Sequence, residues 1–475
     1  METIQRQGTA PVGTLLLQYS LPAIGGFLAS ALYQVVDRIL VGRGVGTLAM
    51  AAVTCAYPLT MLALGVGLWL GTGAGNQIST FLGQGKTEEA ERVLGQSLRL
   101  GLFIGSALAA ALVVFARPLL RLCSAEGEVL ELAVPFLRSI APGQICLIML
   151  LSMGSIIRTQ GRPGLSLAFM AGGNVVNALL AALAIYGFGL GVAGVAAATT
   201  LAVSLSFASQ VWFVQSRFSH LHIRRRFLAK DAPLAGSILK LGAPILFMQL
   251  LGSLVFLTAN HGASLAGARG VAAIGVFNTV SMLLVYPPLG VAQALQPLVA
   301  FNRGAQKLER VRALLGRALV LALAMSAGSA LVVSALPGPV AALFTRTDAP
   351  LVELVREGLP LFMLSVAVVS IPLTAAHYFL AVHQARAAGL LLLGRQLLSI
   401  PLLLLLPRLF GFRGLYYAPV LTDLPFALVG AVMLRREWRV LGERMREASL
   451  TAPEPEAAAG LSPAIPAAPA EGSSS

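Results

Sequence analysis

The chain has 475 residues, of which 57% are hydrophobic and only 11% charged, and its mean hydropathy is +0.81. Values this apolar exclude an ordinary soluble globular protein and define a polytopic membrane protein, because a helix needs about 20 apolar residues to cross roughly 30 Å of hydrocarbon. The formal net charge of +14 does not point to nucleic acid, since the basic residues follow membrane topology.

Apolar runs predict twelve spanning helices, at 15–41, 50–78, 93–116, 133–157, 165–186, 192–214, 238–259, 271–299, 314–336, 359–382, 387–409 and 415–434. The first is too long for a signal-peptide core and has no small-residue cleavage site, so it is expected to be an uncleaved span. With a cytoplasmic N-terminus, the inner segments hold Arg6, Lys86, Arg92, Arg158, Arg162, the Arg224 to Lys230 cluster, Arg303, Lys307, Arg310, Arg386, Arg395 and the arginines from Arg435 to Arg446. Arg38, Arg43, Arg117, Arg121, Arg269 and Arg413 fall at the outer side. The asymmetry satisfies the positive-inside rule and places both termini in the cytoplasm. The stretch HLHIRRRFLAK (220–230) is then a topology determinant, the alternative being a site for anionic headgroups or a regulator. Cys55, Cys123 and Cys146 have no metal-ligand spacing and read as free thiols.

Sliding the chain on itself by about 221 residues lays GQGKTEEAERVLGQSL (83–98) over GAQKLERVRALLGRAL (304–319), with Lys86 on Lys307 and Gly95 on Gly316. The same shift lays RPLLRLCS (117–124) over GPVAALFT (338–345). Six spans per repeat is an even number, so both halves enter the membrane in one orientation, as parallel repeats do. The expected fold is an all-α integral membrane protein with twelve transmembrane helices in two pseudo-symmetric six-helix lobes. Residues 1–216 would form the N-terminal lobe, 217–236 a basic cytoplasmic linker, 237–448 the C-terminal lobe and 449–475 a disordered, Pro/Ala/Ser-rich cytoplasmic tail. Pro22, Pro58, Pro244, Pro287, Pro288 and Pro372 interrupt spans and mark points of bending.

Of the 20 acidic residues, only Asp37 and Asp423 lie within the predicted spans. An aspartate near mid-membrane costs on the order of 3 kcal/mol, so it faces a wet cavity, takes up a proton or pairs with a cation. In ALYQVVDRILVG (31–42), Ser30, Tyr33, Gln34 and Asp37 form one polar helical face, read as a cavity lining. Arg38 is adjacent in sequence and so points away from Asp37. Asp423, beside Pro419 and Pro425, fits a helix-helix hydrogen bond or a cap as well as it fits transport.

Asn174 and Asn177 share a face of the fifth span and serve either a carboxyl's hydrogen bonding or interhelical packing. Thr199, Thr200 and Gln249 carry the same two readings. Met170, Phe277, Met282 and Tyr286 offer a polarizable lining for greasy cations, although ordinary packing is the commoner use of such side chains. His261, His377 and His383 titrate near neutrality when unperturbed, and a lone histidine in a span is often simply hydrogen-bonded. No Walker loop, HExxH or GxSxG occurs, so ATP hydrolysis or another enzymatic activity is not expected.

LPAIGGFLASALYQVVDRILVG, GQGKTEEA, RTQGRPG, NALLAALAIYGFGLGVAGVAAATT and PPLGVAQALQPLVAFNRGAQKLERV together resemble the multidrug and toxic compound extrusion (MATE) transporters across most of the chain. The resemblance implies two six-helix lobes around a central cavity that alternate between inward-open and outward-open states. It implies extrusion of organic, often cationic, compounds driven by H+ or Na+. Asp37 sits where the family carries a first-span coupling carboxylate, and Asn177 matches the asparagine of the fifth-span pattern Asn-x-x-Leu-Asp. The chain departs from that pattern at Ala181, which replaces the second carboxylate. A Na+ site is harder to build from one acid, which favours H+. Spans seven to ten contain no acid by the predicted boundaries, so coupling is expected in the N-terminal lobe.

The sequence thus predicts a multi-pass inner-membrane antiporter, monomeric, without cofactor or resident metal, acting on small organic molecules within the bilayer and not on nucleic acid. Asp37, Asn177, Tyr33, Gln34 and Thr199 would couple to the ion; Asn174, Met170, Gln249, Phe277, Met282 and Tyr286 would line the substrate cavity. A lipid-linked saccharide flippase and a non-transporting scaffold are the alternatives.

Overall fold

The computed structural model describes residues 2–45, 47–123, 125–264, 267–344 and 348–451, and at 2, 3, 35, 37–39, 42–44, 47, 268 and 448–451 the description is of the backbone. The tail predicted at 449–475 lies outside the described residues from 452 onward. The N-terminal half comprises α1 (Glu2–Thr9), α2 (Val12–Gly44), α3 (Thr47–Gly83), α4 (Thr87–Val114), α5 (Ala116–Leu122), α6 (Gly127–Thr159), α7 (Pro163–Ala182, continued by a π-helical turn, Leu183–Gly187) and α8 (Gly191–Gln215). The C-terminal half comprises α9 (Ala232–Ser264), α10 (Gly267–Gly304), α11 (Leu308–Ala335), α12 (Pro337–Phe344), α13 (Ala349–Ala381), α14 (Ala385–Phe410) and α15 (Gly414–Thr451).

Eleven stretches are long and apolar enough to span, and the last, Ala385–Glu447, contains both α14 and α15, which gives the expected twelve. The helices overrun the apolar runs because charged first and last turns project beyond the hydrocarbon. Glu357, in the first turns of α13, is such an overhang and pairs with Arg413 at 2.7 Å. The helices run unbroken through Pro22, Pro58, Pro244, Pro287, Pro288 and Pro372, as membrane helices can when neighbours satisfy the freed backbone groups.

The internal repeat is structural. A shift of about 221 residues carries α3 onto α10, α4 onto α11 and the short α5 onto the short α12. At one end of the bundle lie α1, the starts of α4 and α11 and the last turns of α15. It is the basic end, where Lys86, Arg224, Arg225, Arg226, Lys307, Arg310, Arg435 and Arg436 gather.

At the basic end the lobes share their cores: Val12, Leu15, Leu16 and Tyr19 of α2 pack among Leu295, Leu298, Leu314 and Leu380, while Ile238 and Phe301 pack among Leu70, Ile78 and Ile157. At the opposite end each lobe has its own core, around Leu120, Leu137 and Ala181 in one and around Phe277, Leu359 and Tyr416 in the other. The shared seam depends on backbone proximity. A Cβ added at Gly83 would collide with the Phe301 carbonyl, and one added at Gly304 with the Thr80 carbonyl, so the seam repeats itself about the pseudo-twofold axis.

The linker is strapped down rather than free. Gln96 Nε2 donates to the carbonyls of Phe227 and Ala229, at 2.8 and 2.5 Å. The buried Glu91 pairs with Arg224 Nε at 2.6 Å and accepts the His222 backbone N–H at 3.1 Å. The three cysteines are free.

Candidate functional site

Three of the five residues expected to couple come together inside the N-terminal lobe. Tyr33 projects from α2, Asn177 from α7 and Thr199 from α8. Asn177 Nδ2 donates to Tyr33 Oη at 2.6 Å, and Thr199 Oγ1 donates to Asn177 Oδ1 at 3.3 Å while also reaching its own Val195 carbonyl at 3.0 Å. Asn177 is buried, at 4% exposure, and Tyr33 and Thr199 are half-buried. A buried amide with both ends engaged fixes the relative rotation of three helices, because leaving either end unpaired is costly.

Gln34, next to Tyr33 on α2, is half-buried. Residue 37 lies one helical turn beyond Tyr33 on α2, and the side chain of Asp37 lies outside the described residues. Ala181, one turn beyond Asn177, is fully buried among Ala184, Ile185 and other apolar side chains. The position therefore belongs to the lobe's core, not to a polar site.

The expected cavity residues separate into two groups. Tyr286 of α10 stacks on Phe27 of α2, with ring centroids 5.3 Å apart, so it joins the lobes about 9 Å below Tyr33 toward the basic end. Met282 is partly exposed on α10, and Asn174 of α7 keeps a buried Nδ2 without a hydrogen-bond acceptor among the described residues. The others pack. Phe277 is fully buried, stacked at 5.3 Å on Phe362 and edge-on to Tyr416 at 5.6 Å. It is thus a core residue of the C-terminal lobe, contrary to the expectation that it lines the cavity. The reason is rotational: its position on α10 turns it into the lobe. Met170 lies against Gly26, and Gln249 against Gly65 across the seam.

A second polar cluster occupies the C-terminal lobe. Asp423 of α15 is fully buried, pairs with Arg395 Nε, accepts from Arg395 Nη2 at 3.2 Å and accepts from Ser365 Oγ of α13. Arg395 therefore lies inside the lobe, ten residues from the start of α14, and not at an inner loop. Beside this pair Thr422 Oγ1 meets Ser399 Oγ at 3.5 Å. With corresponding helices aligned from their first residues, α15 on α8 and α14 on α7, Thr422 falls on Thr199 and Ser399 on Asn177, so each lobe carries the same link between corresponding helices. An ionisable residue in the run 387–409, with a lone acid in the next span, was the signal for the pair.

The histidines divide similarly. His377 is buried, its Nδ1 2.9 Å from the Leu373 carbonyl. His261 is exposed on α9, and His383 reaches Thr80 Oγ1 across the seam at 3.3 Å.

A sequence profile of the MatE family matches residues 22–183 and again residues 244–405, once in each lobe. The chain belongs to the MatE family. Among curated relatives, this MatE protein is 24% identical over 437 residues to the multidrug export protein MepA of Staphylococcus aureus (strain MSSA476), with 90% of this chain and 94% of the relative covered. It is 22% identical over 427 residues to MepA of Staphylococcus saprophyticus, with 88% and 92% covered. Among solved structures, a crystal structure of MATE in complex with MaL6 superposes with a TM-score of 0.87 at 23% identity, over 93% of this chain and 100% of that one. The outward-facing conformation of a multidrug resistance MATE family transporter superposes with a TM-score of 0.86 at 23% identity, over 93% and 99%. These likenesses support the two-lobed fold of twelve helices; the MatE family and its relatives are transporters.

Proposed function

We propose that this MatE protein is an inner-membrane antiporter, monomeric, that exports organic cations in exchange for H+. The observation that carries the reading is the Tyr33–Asn177–Thr199 chain of hydrogen bonds, one helical turn from residue 37 in the lobe predicted to couple. The printed names of the relatives, multidrug export proteins, support the substrate class. The basic end is taken as cytoplasmic by the positive-inside rule, which puts both termini there. Shared cores at that end and separate cores at the other then describe an outward-open state.

Each step follows from charge. With Asp37 ionised, an organic cation is held in the cleft above the Phe27–Tyr286 pair. A proton from outside neutralises Asp37, the attraction is lost and the cation leaves outward. Return to the inward-open state delivers the proton to the cytoplasm. Coupling requires that proton and cation differ in affinity for the two lobe arrangements. In this reading the hydroxyl of Tyr33, held by Asn177, donates to the carboxylate of Asp37 one turn along the same helix. With Ala181 in the apolar core, a second hard oxygen ligand is absent at that position, which favours H+ over Na+.

The test is reconstitution in liposomes under a pH gradient without Na+, following a fluorescent organic cation. Wild-type protein moves the cation and Asp37→Asn at equal incorporation does not. Unchanged movement in Asp37→Asn overturns the assignment, and movement that requires Na+ overturns the ion.

A further inference from the structure

The two segments that lead into the lobes are held in a reciprocal way. Residues 216–231 lead into α9 of the C-terminal lobe, yet they dock on α4 of the N-terminal lobe through Gln96, Glu91 and an Arg92–Asp231 pair at 3.1 Å. The segment before α2 is their counterpart in the repeat, and it docks on the opposite lobe. Asn302 Nδ2 donates to the Gln7 carbonyl at 3.0 Å, Lys307 Nζ to the Gly8 carbonyl at 2.8 Å, and Arg310 Nη2 to the Ala10 carbonyl at 2.6 Å. Arg310 Nε in turn donates to Asn302 Oδ1 at 3.0 Å, which fixes both donors. Gln7, at 1% exposure, also reaches the N-terminal lobe: its Nε2 donates to the Thr159 carbonyl at 2.9 Å.

The physical reason lies in the end of α1. The last carbonyls of a helix have no partner within it, and they carry its negative pole. Pro11, separated from the end of α1 only by Ala10, prevents α1 from continuing into α2. The carbonyls of Gln7 and Gly8, and that of Ala10 beyond them, are therefore open to outside donors, and a lysine, an arginine and an amide of the other lobe take them. Eight residues are too few for a helix to be stable by itself in water, so α1 forms because it is docked.

We propose that α1 is a cytoplasmic strap: it bridges the lobes through Asn302, Lys307 and Arg310 in the outward-open state and releases the C-terminal lobe when the protein opens inward. Those three are positioning residues of the transport cycle, remote from the cation. The inference rests on the alternating-access reading above. In that reading the seam at Gly83 and Gly304 must part, and α1, anchored to the N-terminal lobe by Gln7 and by continuity with α2, must leave its three donors.

The experiment uses the full chain with its cysteines replaced by serine and spin labels at Gln84→Cys and Gln384→Cys, exposed positions at the basic end on opposite lobes. Pulsed dipolar spectroscopy in nanodiscs gives the short, closed and long, inward-open populations. In the parent the two populations interconvert with pH and with an organic cation. Deletion of residues 2–9, and the pair Lys307→Ala with Arg310→Ala, raise the ratio of long to short about tenfold, within the usual range of conformational coupling. Arg310→Lys keeps a cationic donor for the Ala10 carbonyl but loses the fork to Asn302, and gives a ratio between those of the parent and of the alanine pair. A parent with two populations whose ratio is unmoved in the folded deletion variant overturns the strap. A single distance in every protein and condition overturns alternating access itself, and with it the strap.

Discussion

Arg395 and Asp423 hold each other across α14 and α15, with Asp423 fully buried and Ser365 of α13 donating to the same carboxylate. Three helices of the C-terminal lobe are thereby joined at mid-membrane, in the lobe where no coupling acid is proposed. Arg395 faces away from the lipid stripe of α14, whose exposed leucines are Leu390, Leu397 and Leu404. The pair closes on itself and so supplies rigidity to the C-terminal lobe.

Breaking one side of this pair leaves the other charge buried and unpaired, at a cost of about 3 to 5 kcal/mol. Asp423→Asn and Arg395→Met are each expected to lower the unfolding midpoint in detergent sharply. Replacing both, with Asp423→Leu and Arg395→Met, is expected to recover most of the loss, because the two desolvation penalties vanish together. The double variant should still move cations under a pH gradient. A well-folded double variant that no longer responds to the gradient would show that coupling extends into the C-terminal lobe.

Asn177 has a different signature. Asn177→Ala removes the donor to Tyr33 Oη and the acceptor from Thr199 Oγ1, and is expected to cost about 1 to 3 kcal/mol of stability. Thr199→Val is milder, because the lost hydroxyl's other bond runs only to its own Val195 carbonyl. If Tyr33 orients Asp37, the midpoint of transport against pH moves in Asn177→Ala and in Tyr33→Phe in the same direction. The measurement is initial efflux rate across pH in proteoliposomes, normalised to incorporation. A lowered rate with an unmoved midpoint assigns Asn177 to packing alone.

Much of this was legible in the sequence because membrane physics leaves few choices. Apolar length defined twelve helices, and the match of 83–98 to 304–319 defined two parallel lobes. Tyr33 of the polar face of α2 does meet Asn177 of α7, since amides and hydroxyls in a span have little else to pair with. Phe277 was misplaced because an aromatic side chain is apolar on every face, and only the rotation of α10 decides whether it meets the cleft or the core. Arg395 was counted with the inner-side charges although it falls within the run 387–409, because charge asymmetry along the sequence does not reveal that Asp423 of the next helix pairs with it inside the lobe. The docking of α1 left no trace at all: its acceptors are backbone carbonyls, and its donors lie about 300 residues away.

His383 is expected to make the seam sensitive to pH at the basic end. It occupies the turn between α13 and α14 with φ of +62°, a left-handed conformation rare outside glycine, and meets Thr80 of the other lobe. Partial burial, and then the charge of Arg303, push its imidazole below the usual histidine range, while a hydrogen bond with the Asn76 backbone works in the opposite direction. The closed seam therefore binds a proton less readily than a freely exposed histidine, whose pKa is about 6.5. Its contribution to closure is intact above that value and declines as pH falls through it, because protonation then favours the parted lobes. Lowering the pH from about 7.5 to about 5.5 is expected to enlarge the inward-open population between labels at Gln84→Cys and Gln384→Cys. Because Asp37 is proposed to take up the transported proton, the decisive comparison is made within an Asp37→Asn background. There His383→Gln should flatten the remaining pH response while leaving the high-pH population unchanged; a response of the same size in His383→Gln would assign it to another group.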